Sequence, residues 1–496
     1  MEKAIQRVLA AKHNNELILI IGDYDADGTT AASILYLYFK SINIDIEYYI
    51  PNRQTEGYGV SLTAIDYANK IGATLVITCD CGITAIEPVE YAIKYGIDTI
   101  ITDHHKQKDK LPKAVAILNP NRSDCQYPFK GLCGAGVAFK LCSGINNELG
   151  YDLELVLKYT DLVAIATTAD VVPVIDENRL IVKKGLQNII DGTNVGIRAL
   201  LKVSKLDINS ITIGKLGYWF IPKINAAGRL GDASRAVKLF TTMNPQFANQ
   251  IAIDLESENE KRKVITMQHE NDAKRMIQDS INLPKQKIII VHNDNWHFGV
   301  VGIVASRIKD LYNRPTIVLT KENGLYKGSC RSISGYDIVD ALNNCSNILQ
   351  NYGGHPMAAG LSIEEKYLDA FYDKMNKHSQ QLLNHDLQPI INIDYELKFS
   401  EIDNRFIKFL DYLEPFGPGN PKPIFCTKKI NQFSDVQLIG KDRDTLKFIA
   451  HGIGYSDKKY SKISEFYEDL KQWGIKPNKL SGIFNNIQDM MIFFNK

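Results

Sequence analysis

Four short segments rich in aspartate and histidine carry the side chains that could do chemistry in this chain. They are Gly22-Asp23-Tyr24-Asp25-Ala26-Asp27-Gly28, Cys79-Asp80-Cys81-Gly82, Thr102-Asp103-His104-His105 and Thr168-Ala169-Asp170. Each follows an apolar run (residues 17–21, 74–78, 99–101 and 162–167), which predicts that each lies at the end of a buried strand. Carboxylates packed this closely repel one another unless a cation lies among them. Because oxygen ligands with one or two imidazoles suit Mn²⁺ or Mg²⁺ better than zinc, the pattern predicts a metal site, with two ions, at the carboxyl edge of a parallel sheet.

Five of these side chains are the candidate ligands. Asp25 and Asp27 are two residues apart, so an extended segment would present both on one side. Asp80 would bridge two ions, His104 would add a nitrogen ligand, and Asp170 would close the cluster. Two ions about 3.5–4 Å apart can activate water and neutralise charge while a phosphodiester is attacked in line. A single Asp-x-Asp pair is more often a solvated turn, and a single His-His pair is more often structural, but four such segments in one region favour the metal site.

Strands and helices alternate in the region that must position these segments. Strands are predicted at residues 17–21, 44–50, 74–79 and 99–102, and helices at 29–41, 61–71 and 83–95. This alternation is typical of a parallel α/β sheet, in which ligands bind beyond the carboxyl ends of the strands.

Three further regions follow along the chain. Helices are predicted to dominate from residue 134 to about 240, and the highly charged stretch 245–281 is predicted to be a long exposed linking helix. A second α/β region runs from residue 287 to about 364 and contains the glycine-rich block 352–360. Short strand-like runs from about residue 389 predict a small β-barrel of OB type. We therefore divide the chain at 1–240, 241–284, 285–388 and 389–496.

Composition limits the class of protein. Of the residues, 45% are hydrophobic and 23% are charged, as is ordinary for a soluble globular protein. The net charge is +1, so binding of a polyanion would need a local basic groove rather than overall charge. The eight cysteines form no C-x-x-C pair, which favours reduced thiols. No apolar stretch approaches the roughly 20 residues that span a bilayer, so we expect a cytoplasmic protein without membrane contact, and a monomer.

The same four segments resemble the motifs of the DHH phosphoesterase superfamily, named after the triplet present here as Asp103-His104-His105. Other segments extend the resemblance over nearly the whole chain to the RecJ family of single-strand-specific 5′ exonucleases. They are Pro51-Asn52-Arg53, Gly57-Tyr58-Gly59, Asn225-Ala226-Ala227-Gly228-Arg229, Gly299-Val300-Val301-Gly302-Ile303, Lys327-Gly328-Ser329-Cys330-Arg331-Ser332, Gly353-Gly354-His355 and Pro415-Phe416-Gly417. Cys81 and Cys330 depart from the family pattern, which usually has asparagine and glycine at these positions.

The resemblance implies a fold and a set of residue roles. The four regions would be a DHH domain, a linking helix, a DHHA1 domain and an OB-like nucleic-acid-binding domain. Asp25, Asp27, Asp80, His104 and Asp170 would be the metal ligands, whereas Asp23, Asp103 and His105 would orient them or contact the scissile phosphate. Arg53, Ser329 and Arg331 would hold a terminal 5′ phosphate, Tyr58 would stack on a base, and Arg229 and His355 would face phosphates from the second domain.

The implied activity is metal-dependent degradation of single-stranded DNA from its 5′ end to 5′ mononucleotides, in recombination and repair. The implied partners are DNA with a 5′ end, a RecQ-type helicase and a single-strand-binding protein. Two alternatives stay open from the residues alone: a superfamily enzyme acting on oligoribonucleotides, cyclic dinucleotides or pyrophosphate, and a non-catalytic binding module. At single positions, Arg53 could cap a loop, Tyr58 could be packing, His355 could be structural, and Gly353-Gly354 could serve a tight turn.

Overall fold

The computed structural model describes residues 1–53, 55–283, 285–382, 387, 390–398, 401–427, 432–439, 445–451 and 492–494. The chain forms two compact units. The first consists of Met1–Pro389 with Gly417–Gly419, and the second of Ile390–Phe416 with Asn420–Lys496.

A five-stranded parallel sheet organises the amino-terminal part of the first unit. Its strands, in the order β2-β1-β3-β4-β5, are β1 (Ile18–Gly22), β2 (Ile46–Tyr49), β3 (Leu75–Cys79), β4 (Asp98–Thr102) and β5 (Ala116–Leu118). Side chains of β1 alternate between two cores: Ile18 and Ile20 pack in one, Leu19 and Ile21 in the other. The sheet is therefore covered on both faces, and the prediction of a parallel α/β sheet is confirmed.

Helices cover this sheet and form the layer behind it. They are α1 (Glu2–Asn14), α2 (Ala26–Ser41), α3 (Leu62–Ile71), α4 (Ile86–Lys94), α5 (Gly134–Glu148), α6 (Glu154–Leu157), α7 (Thr160–Ala169), α8 (Asp176–Asp191), α9 (Val195–Val203), α10 (Ile213–Lys215), α11 (Ile221–Leu230) and α12 (Ser234–Thr241). A 3₁₀ turn (Ile208–Ser210) precedes α10, and a π-helical turn (Leu216–Phe220) joins α10 to α11. Helix α2 follows β1 directly and is buried along most of its length.

The apolar run at residues 162–167 is helical, so the prediction of a strand there is wrong. Those residues lie in the middle of α7, where all of them are buried. The sequence of a short apolar run does not distinguish a buried strand from a helix that is buried on all sides. Asp170 consequently lies at the carboxyl end of a helix rather than of a strand.

The long helix α13 (Pro245–Ser280) occupies the predicted linking position, but it is not exposed throughout. Ala248, Ala252 and Leu255 are completely buried near its beginning, and Ala273 is completely buried near its end. Their spacing places them on one side of the helix. The first three residues pack in the core that contains Ile18 and Ile20, and Ala273 packs in another core with Ile289. The high density of charge along the sequence hid this narrow apolar stripe.

A second, mixed sheet follows α13. Its strands, in the order β6-β7-β8-β10-β9, are β6 (Ile289–His292), β7 (Thr316–Glu322), β8 (Leu325–Arg331), β9 (Leu349–His355) and β10 (Ala358–Ile363). Only the β6–β7 pair is parallel, and α14 (Phe298–Tyr312) connects its two strands. Helices α15 (Ile338–Asn343) and α16 (Leu368–Ser379) complete this region, with a 3₁₀ turn at Glu365–Tyr367.

The described residues of the second unit form short strands and a helix. The strands are β11 (Tyr395–Glu396), β12 (Phe425–Thr427), β13 (Gln432–Ile439), β14 (Thr445–His451) and β15 (Ile492–Phe494), and the helix is α17 (Asn404–Leu413). Strand β12 pairs with β11 and β15, and β13 pairs with β14 in an antiparallel hairpin. The strand-like runs predicted from the sequence lie in β12, β13 and β14.

None of the helices in the described residues is long and apolar enough to span a membrane. All eight cysteines are free.

Candidate metal centre

The turn from β1 into α2 is fixed by Asp25. This residue is the N-cap of α2, and its Oδ1 accepts hydrogen bonds from the backbone N–H groups of Asp27 (2.9 Å) and Gly28 (3.0 Å). The helix already begins at Ala26, so the extended segment expected for Asp25 and Asp27 does not form. The N-cap preference of aspartate is the physical reason. The Asp25 carboxylate is therefore held at the N-cap, whereas Asp27 lies in the first turn of the helix.

Asp27 is held by the amino terminus of α5. Its two carboxylate oxygens accept hydrogen bonds from the backbone N–H groups of Gly134 (2.7 Å) and Ala135 (2.8 Å). Free N–H groups and the helix dipole stabilise a negative charge at this position. This partner is over 100 residues away in the sequence, so sequence reasoning missed it; the only signal was the glycine-rich start of a predicted helix.

Asp80 leaves β3 in a strained conformation. Its φ of 61° lies in the left-handed region, and its N–H donates to the carbonyl of Thr102 on the neighbouring strand (3.0 Å). A Cβ atom on Gly134 would lie only 2.4 Å from the Asp80 side chain. The first residue of α5 therefore has to be glycine so that Asp80 and Asp27 can share this space.

Asp103 positions the two histidines that follow it. Its Oδ1 accepts hydrogen bonds from the backbone N–H groups of His104 (2.7 Å) and His105 (3.0 Å), and it also lies 2.8 Å from His105 Nδ1. Its Oδ2 accepts a hydrogen bond from the N–H of Ile83 (2.9 Å). Burial would raise the pKa of Asp103, but the hydrogen bonds and charge of His105 outweigh it and lower that pKa. Burial would lower the pKa of His105, but the bond and charge of Asp103 outweigh it and raise that pKa.

His104 presents a free ring nitrogen to three carboxylates. Its Nε2 lies 3.1 Å from Asp80 Oδ1, 3.6 Å from Asp170 Oδ2 and 3.9 Å from Asp27 Oδ2, yet it forms no hydrogen bond within the described part of the chain. Burial, followed by the charge of His105, lowers the pKa of His104 to about 4. The neutral imidazole therefore offers a lone pair at Nε2, as a metal ligand must.

The buried carboxylates of the cluster repel one another. Burial and the charge of Asp25 raise the pKa of Asp27 to about 7, and burial with the charges of Asp27 and Asp25 raises the pKa of Asp170 to about 8. The pKa values of Asp23 and Asp80 are raised well above the ordinary value by burial and neighbouring carboxylates. A divalent cation would remove this repulsion and return all of them to the ionised form.

The candidate ligand atoms form three groups of three, two of which share no residue. Asp23, Asp25 and Asp80 make one group, and Asp27, His104 and Asp170 make the other; within each group one atom per residue lies within 4.8 Å of the others. Asp80 Oδ1 and His104 Nε2, 3.1 Å apart, join the two groups, and Asp80, His104 and His105 form a third, overlapping group.

Three buried atoms of these groups, Asp23 Oδ1, Asp80 Oδ1 and His104 Nε2, have no hydrogen-bond partner among the described residues. An oxygen-rich donor set with one nitrogen fits two divalent ions such as Mn²⁺ or Mg²⁺. Asp23, expected to orient other groups, lies among the candidate ligand atoms themselves.

Two arginines lie near enough to the carboxylate cluster to interact with its charges, Arg53 with Asp23 and Arg229 with Asp25. Arg53 stacks on the ring of Tyr24 (5.1 Å), and Arg229 Nη1 donates to the carbonyl of Gly299 (3.0 Å). Burial, followed by the charges of Arg53 and Arg262, lowers the pKa of Arg229 to about 10. Because no described carboxylate forms an ion pair with these guanidinium groups, the region is suited to an anion.

Ser329 and Arg331 lie together on β8. Arg331 donates from Nη1 to Ser329 Oγ (2.7 Å) and from Nε to Ser306 Oγ (3.1 Å). A Cβ atom on Gly302 would lie 3.1 Å from Ser329 Oγ, so glycine leaves room for this pair. Ser306, one helical turn after Gly302, was missed by sequence reasoning. Cys330 points into the hydrophobic core on the other face of the strand, so its departure from the family pattern leaves this surface unchanged.

Tyr58 and His355 lie at the margins of the centre. The Tyr58 hydroxyl donates to the carbonyl of Asp80 (3.2 Å) and lies 3.1 Å from His105 Nδ1, while half of the residue is exposed. His355 is exposed at the end of β9, near enough for its charge to act on His104. Gly354 lies in β9 rather than in a turn, and its φ is 150°. A Cβ atom added at this position would lie 2.4 Å from the carbonyl oxygen of Ala358, so only glycine fits.

Asn225 joins α11 to the start of α2, and the sequence did not predict a role for it. Its Oδ1 accepts a hydrogen bond from the N–H of Ala26 (2.9 Å) at the first residue of α2. A Cβ atom on Gly228 would lie 2.5 Å from the carbonyl oxygen of Tyr24, so glycine allows this close approach.

Comparison with known proteins agrees with this architecture. Three family models match: the DHH family, N-terminal domain, at residues 17–167, the DHHA1 domain at residues 285–381, and the RecJ OB domain at residues 393–464. The single-stranded-DNA-specific exonuclease RecJ of Haemophilus influenzae is 35% identical over 90% of this chain and 81% of its own length. The chain belongs to the RecJ family.

Other RecJ proteins support this membership. RecJ of Bacillus subtilis is 36% identical over 90% of this chain, which spans 56% of that protein's length. The crystal structure of Thermus thermophilus RecJ in complex with Mn²⁺ superposes on this chain with a TM-score of 0.78 and 28% sequence identity. The superposition covers 92% of this chain and 66% of the Thermus chain. The DHH, DHHA1 and OB-like architecture expected from the sequence is confirmed.

The pKa shifts predict how the metal-free protein responds to pH. Asp27 and Asp170 have raised pKa values of about 7 and 8, so the folded state holds protons that the unfolded state has lost. Stability should therefore fall as pH rises from 6.5 to 9 in a chelator, as measured by thermal unfolding. Asp170→Asn should make this slope shallower, and Mn²⁺ should stabilise the wild type more at pH 8 than at pH 6.5, because ligand carboxylates must ionise to bind. Equal slopes in the two proteins would contradict this.

Proposed function

We propose that this RecJ-family chain is a divalent-metal-dependent exonuclease that hydrolyses single-stranded DNA from the 5′ end and releases 5′ mononucleotides, in recombination and repair. The observation that carries the proposal is the pair of ligand groups, joined by Asp80 and His104, beside arginines that have no carboxylate partner among the described residues. Relatives that share most of the chain are named single-stranded-DNA-specific exonucleases.

The proposed ligands are Asp25, Asp27, Asp80, His104 and Asp170, and the described geometry adds Asp23 to the candidates. Two ions held there would lower the pKa of a coordinated water toward about 7 and neutralise charge on the phosphodiester. The amides of Gly134 and Ala135 keep Asp27 in place, so its carboxylate is preorganised before a ligand binds. No separate strong base is then needed.

His105 is the residue best suited to contact the scissile phosphate. Asp103 raises its pKa over the opposing effect of burial, so the imidazole tends to carry a proton that it can donate to a phosphate oxygen. The hydroxyl of Tyr58 contacts the same ring, which limits its rotation. We propose that the exposed face of Tyr58 stacks on a base.

The 5′-to-3′ direction of degradation would be set by the arginines near the metal centre. Arg53, Ser329 and Arg331 would bind the terminal 5′ phosphate, with Arg229 and His355 facing other phosphates. A terminal phosphomonoester carries more negative charge than an internal diester, so it is preferred where cations lack carboxylate partners. A strand end captured there would place the first linkage at the metal centre.

The two alternative functions fit the molecule less well. Enzymes of the superfamily that act on small substrates are not expected to have the matched RecJ OB domain. A non-catalytic binding module would not need three buried atoms without a hydrogen-bond partner among the described residues, namely Asp23 Oδ1, Asp80 Oδ1 and His104 Nε2. We further propose domains at 1–240, 285–388 and 389–496 joined by the linker 241–284, and a cytoplasmic monomer. The RecQ-type helicase and the single-strand-binding protein are proposed as partners because the family resemblance implies them.

Asp80→Ala should reduce Mn²⁺-dependent hydrolysis of single-stranded DNA by at least about 100-fold, because the atom that joins both ligand groups is removed. The measurement is release of mononucleotides from an end-labelled oligonucleotide. Asp109→Ala, which changes an exposed carboxylate outside the cluster, is the matched control and should keep wild-type activity. Activity that survives in the Asp80 variant would defeat the proposal.

Arg331→Ala should reduce the preference for a 5′-phosphorylated over a 5′-hydroxyl strand by roughly 10- to 100-fold, because a charged hydrogen bond to phosphate is lost. Rates on the two strands, each labelled at either end, give the preference and the direction of degradation together. Arg307→Ala is the control, because Arg307 lies in α14 next to Ser306 but is paired with Glu270. Release of mononucleotides from the 3′ end first would refute the assigned polarity.

A further inference from the structure

Two asparagines that follow β5 hold the backbone of the two histidines that follow β4. Asn119 Nδ2 donates to the carbonyl oxygen of His105 (2.8 Å), and Asn121 Nδ2 donates to the carbonyl oxygen of His104 (2.5 Å). The N–H groups of the same histidines donate to Asp103 Oδ1. Each histidine is therefore held on its N–H side by a carboxylate and on its carbonyl side by an amide.

These amides continue a sheet contact that ends just before them. The parallel pairing of β4 with β5 runs to Thr102 and Leu118, and a last backbone bond joins the N–H of Asp103 to the carbonyl oxygen of Leu118 (3.0 Å). Beyond that bond, the side-chain amides of residues 119 and 121 connect the two segments. Because an amide is neutral, they do so without adding charge beside the carboxylate cluster.

Asn119 uses both ends of its amide. Its Oδ1 accepts a hydrogen bond from the N–H of Asn121 (2.7 Å), while its Nδ2 donates to His105. Because one neighbour is a donor and the other is an acceptor, neither aspartate nor leucine could serve both. Asn119 is 3% exposed, whereas Asn121 lies at the surface. The buried asparagine therefore supports the exposed one as well as His105.

The His104 ring is fixed together with its main chain before an ion binds. The ring is hydrogen-bonded to the backbone of Leu132, while Asp103 and Asn121 hold the backbone of His104 itself. A group that binds a metal or a substrate has to be held within about 0.5 Å of its productive position. Residues that hold a ligand in this way change metal affinity or activity by about 10- to 100-fold when they are replaced.

We propose that Asn119 and Asn121, the asparagine clamp, are positioning residues that set the place of both histidine rings at the metal centre. This inference rests on the proposed function, because it concerns the same centre. Asn121 acts through His104, which offers the nitrogen ligand, so it governs the affinity for Mn²⁺. Asn119 acts through His105, the proposed phosphate contact, so it governs the reaction after the metal has bound.

Binding of Mn²⁺ in the absence of DNA tests the part played by Asn121. We expect Asn121→Ala to raise the apparent Kd for Mn²⁺ by about 10- to 100-fold, measured from the electron paramagnetic resonance signal of the free ion. The residue is exposed, so its replacement leaves no cavity in the core. Ser123→Ala is the matched control and should keep the wild-type Kd. Ser123 joins the same two segments, but its described hydrogen bonds are to Gln107 and not to a histidine.

Turnover at saturating Mn²⁺ tests the part played by Asn119. Excess Mn²⁺ should restore most of the kcat of Asn121→Ala, whereas Asn119→Ala should stay about 10- to 100-fold below the wild-type kcat at every Mn²⁺ concentration. Thermal unfolding checks that both variants are folded at the assay temperature, and Asn119→Ser, which leaves a smaller cavity, replaces the alanine variant if that one is not. A merely structural role would lower the unfolding temperature without separating metal affinity from kcat.

The possible failures can be told apart. Equal Kd values for Mn²⁺ in the wild type and Asn121→Ala would overturn the clamp and leave the metal centre in place. Full recovery of the Asn119 variant by excess Mn²⁺ would overturn its assigned action through His105. Absence of Mn²⁺ binding by the wild type would instead remove the metal centre, and with it both the proposed function and the clamp.

Discussion

Buried negative charge is the constraint on which the rest of this structure depends. Asp23, Asp27 and Asp80 are each about 2% exposed, and other carboxylates lie close to them. Burying ionised groups together costs far more free energy than a fold can supply unless each charge is compensated. The protein compensates in part with its own groups, through the amino terminus of α5 at Asp27 and the N-cap bonds at Asp25. The remaining, unpartnered atoms are those that two cations would bind.

The fold serves this constraint at several levels. A parallel sheet brings the ends of β1, β3 and β4 to one edge, and α7 supplies Asp170 from the helical layer. Gly134 and Gly228 are required where backbone and side chains approach more closely than a Cβ atom allows. Arg53 and Arg229 lie near these carboxylates without an ion pair to any described carboxylate, so acidic candidate ligands and basic groups suited to an anion are neighbours.

Much of this arrangement was predictable from the sequence. Asp23, Asp80 and Asp103 each follow a strand whose apolar run is easily recognised, and parallel topology then brings them together. Asp170 was placed in the right cluster but on the wrong type of element, because hydrophobic periodicity disappears where a helix is buried on all sides.

The contacts of Asp27 with Gly134, of Ala26 with Asn225, and of Arg331 with Ser306 could not be predicted. Each contact joins residues that are separated in the chain, and the local sequence around one partner does not identify the other. The buried stripe of α13 was hidden for a related reason, since only a few small apolar residues among many charges define it.

The most direct measurement is anomalous X-ray scattering at the manganese edge from crystals grown with Mn²⁺ and a short 5′-phosphorylated strand that resists hydrolysis. The account predicts two peaks about 3.5–4 Å apart, one near Asp23, Asp25 and Asp80 and the other near Asp27, His104 and Asp170, with the strand's first linkage beside them. Absence of manganese from this cluster under saturating metal, or ions bound only elsewhere, would contradict it.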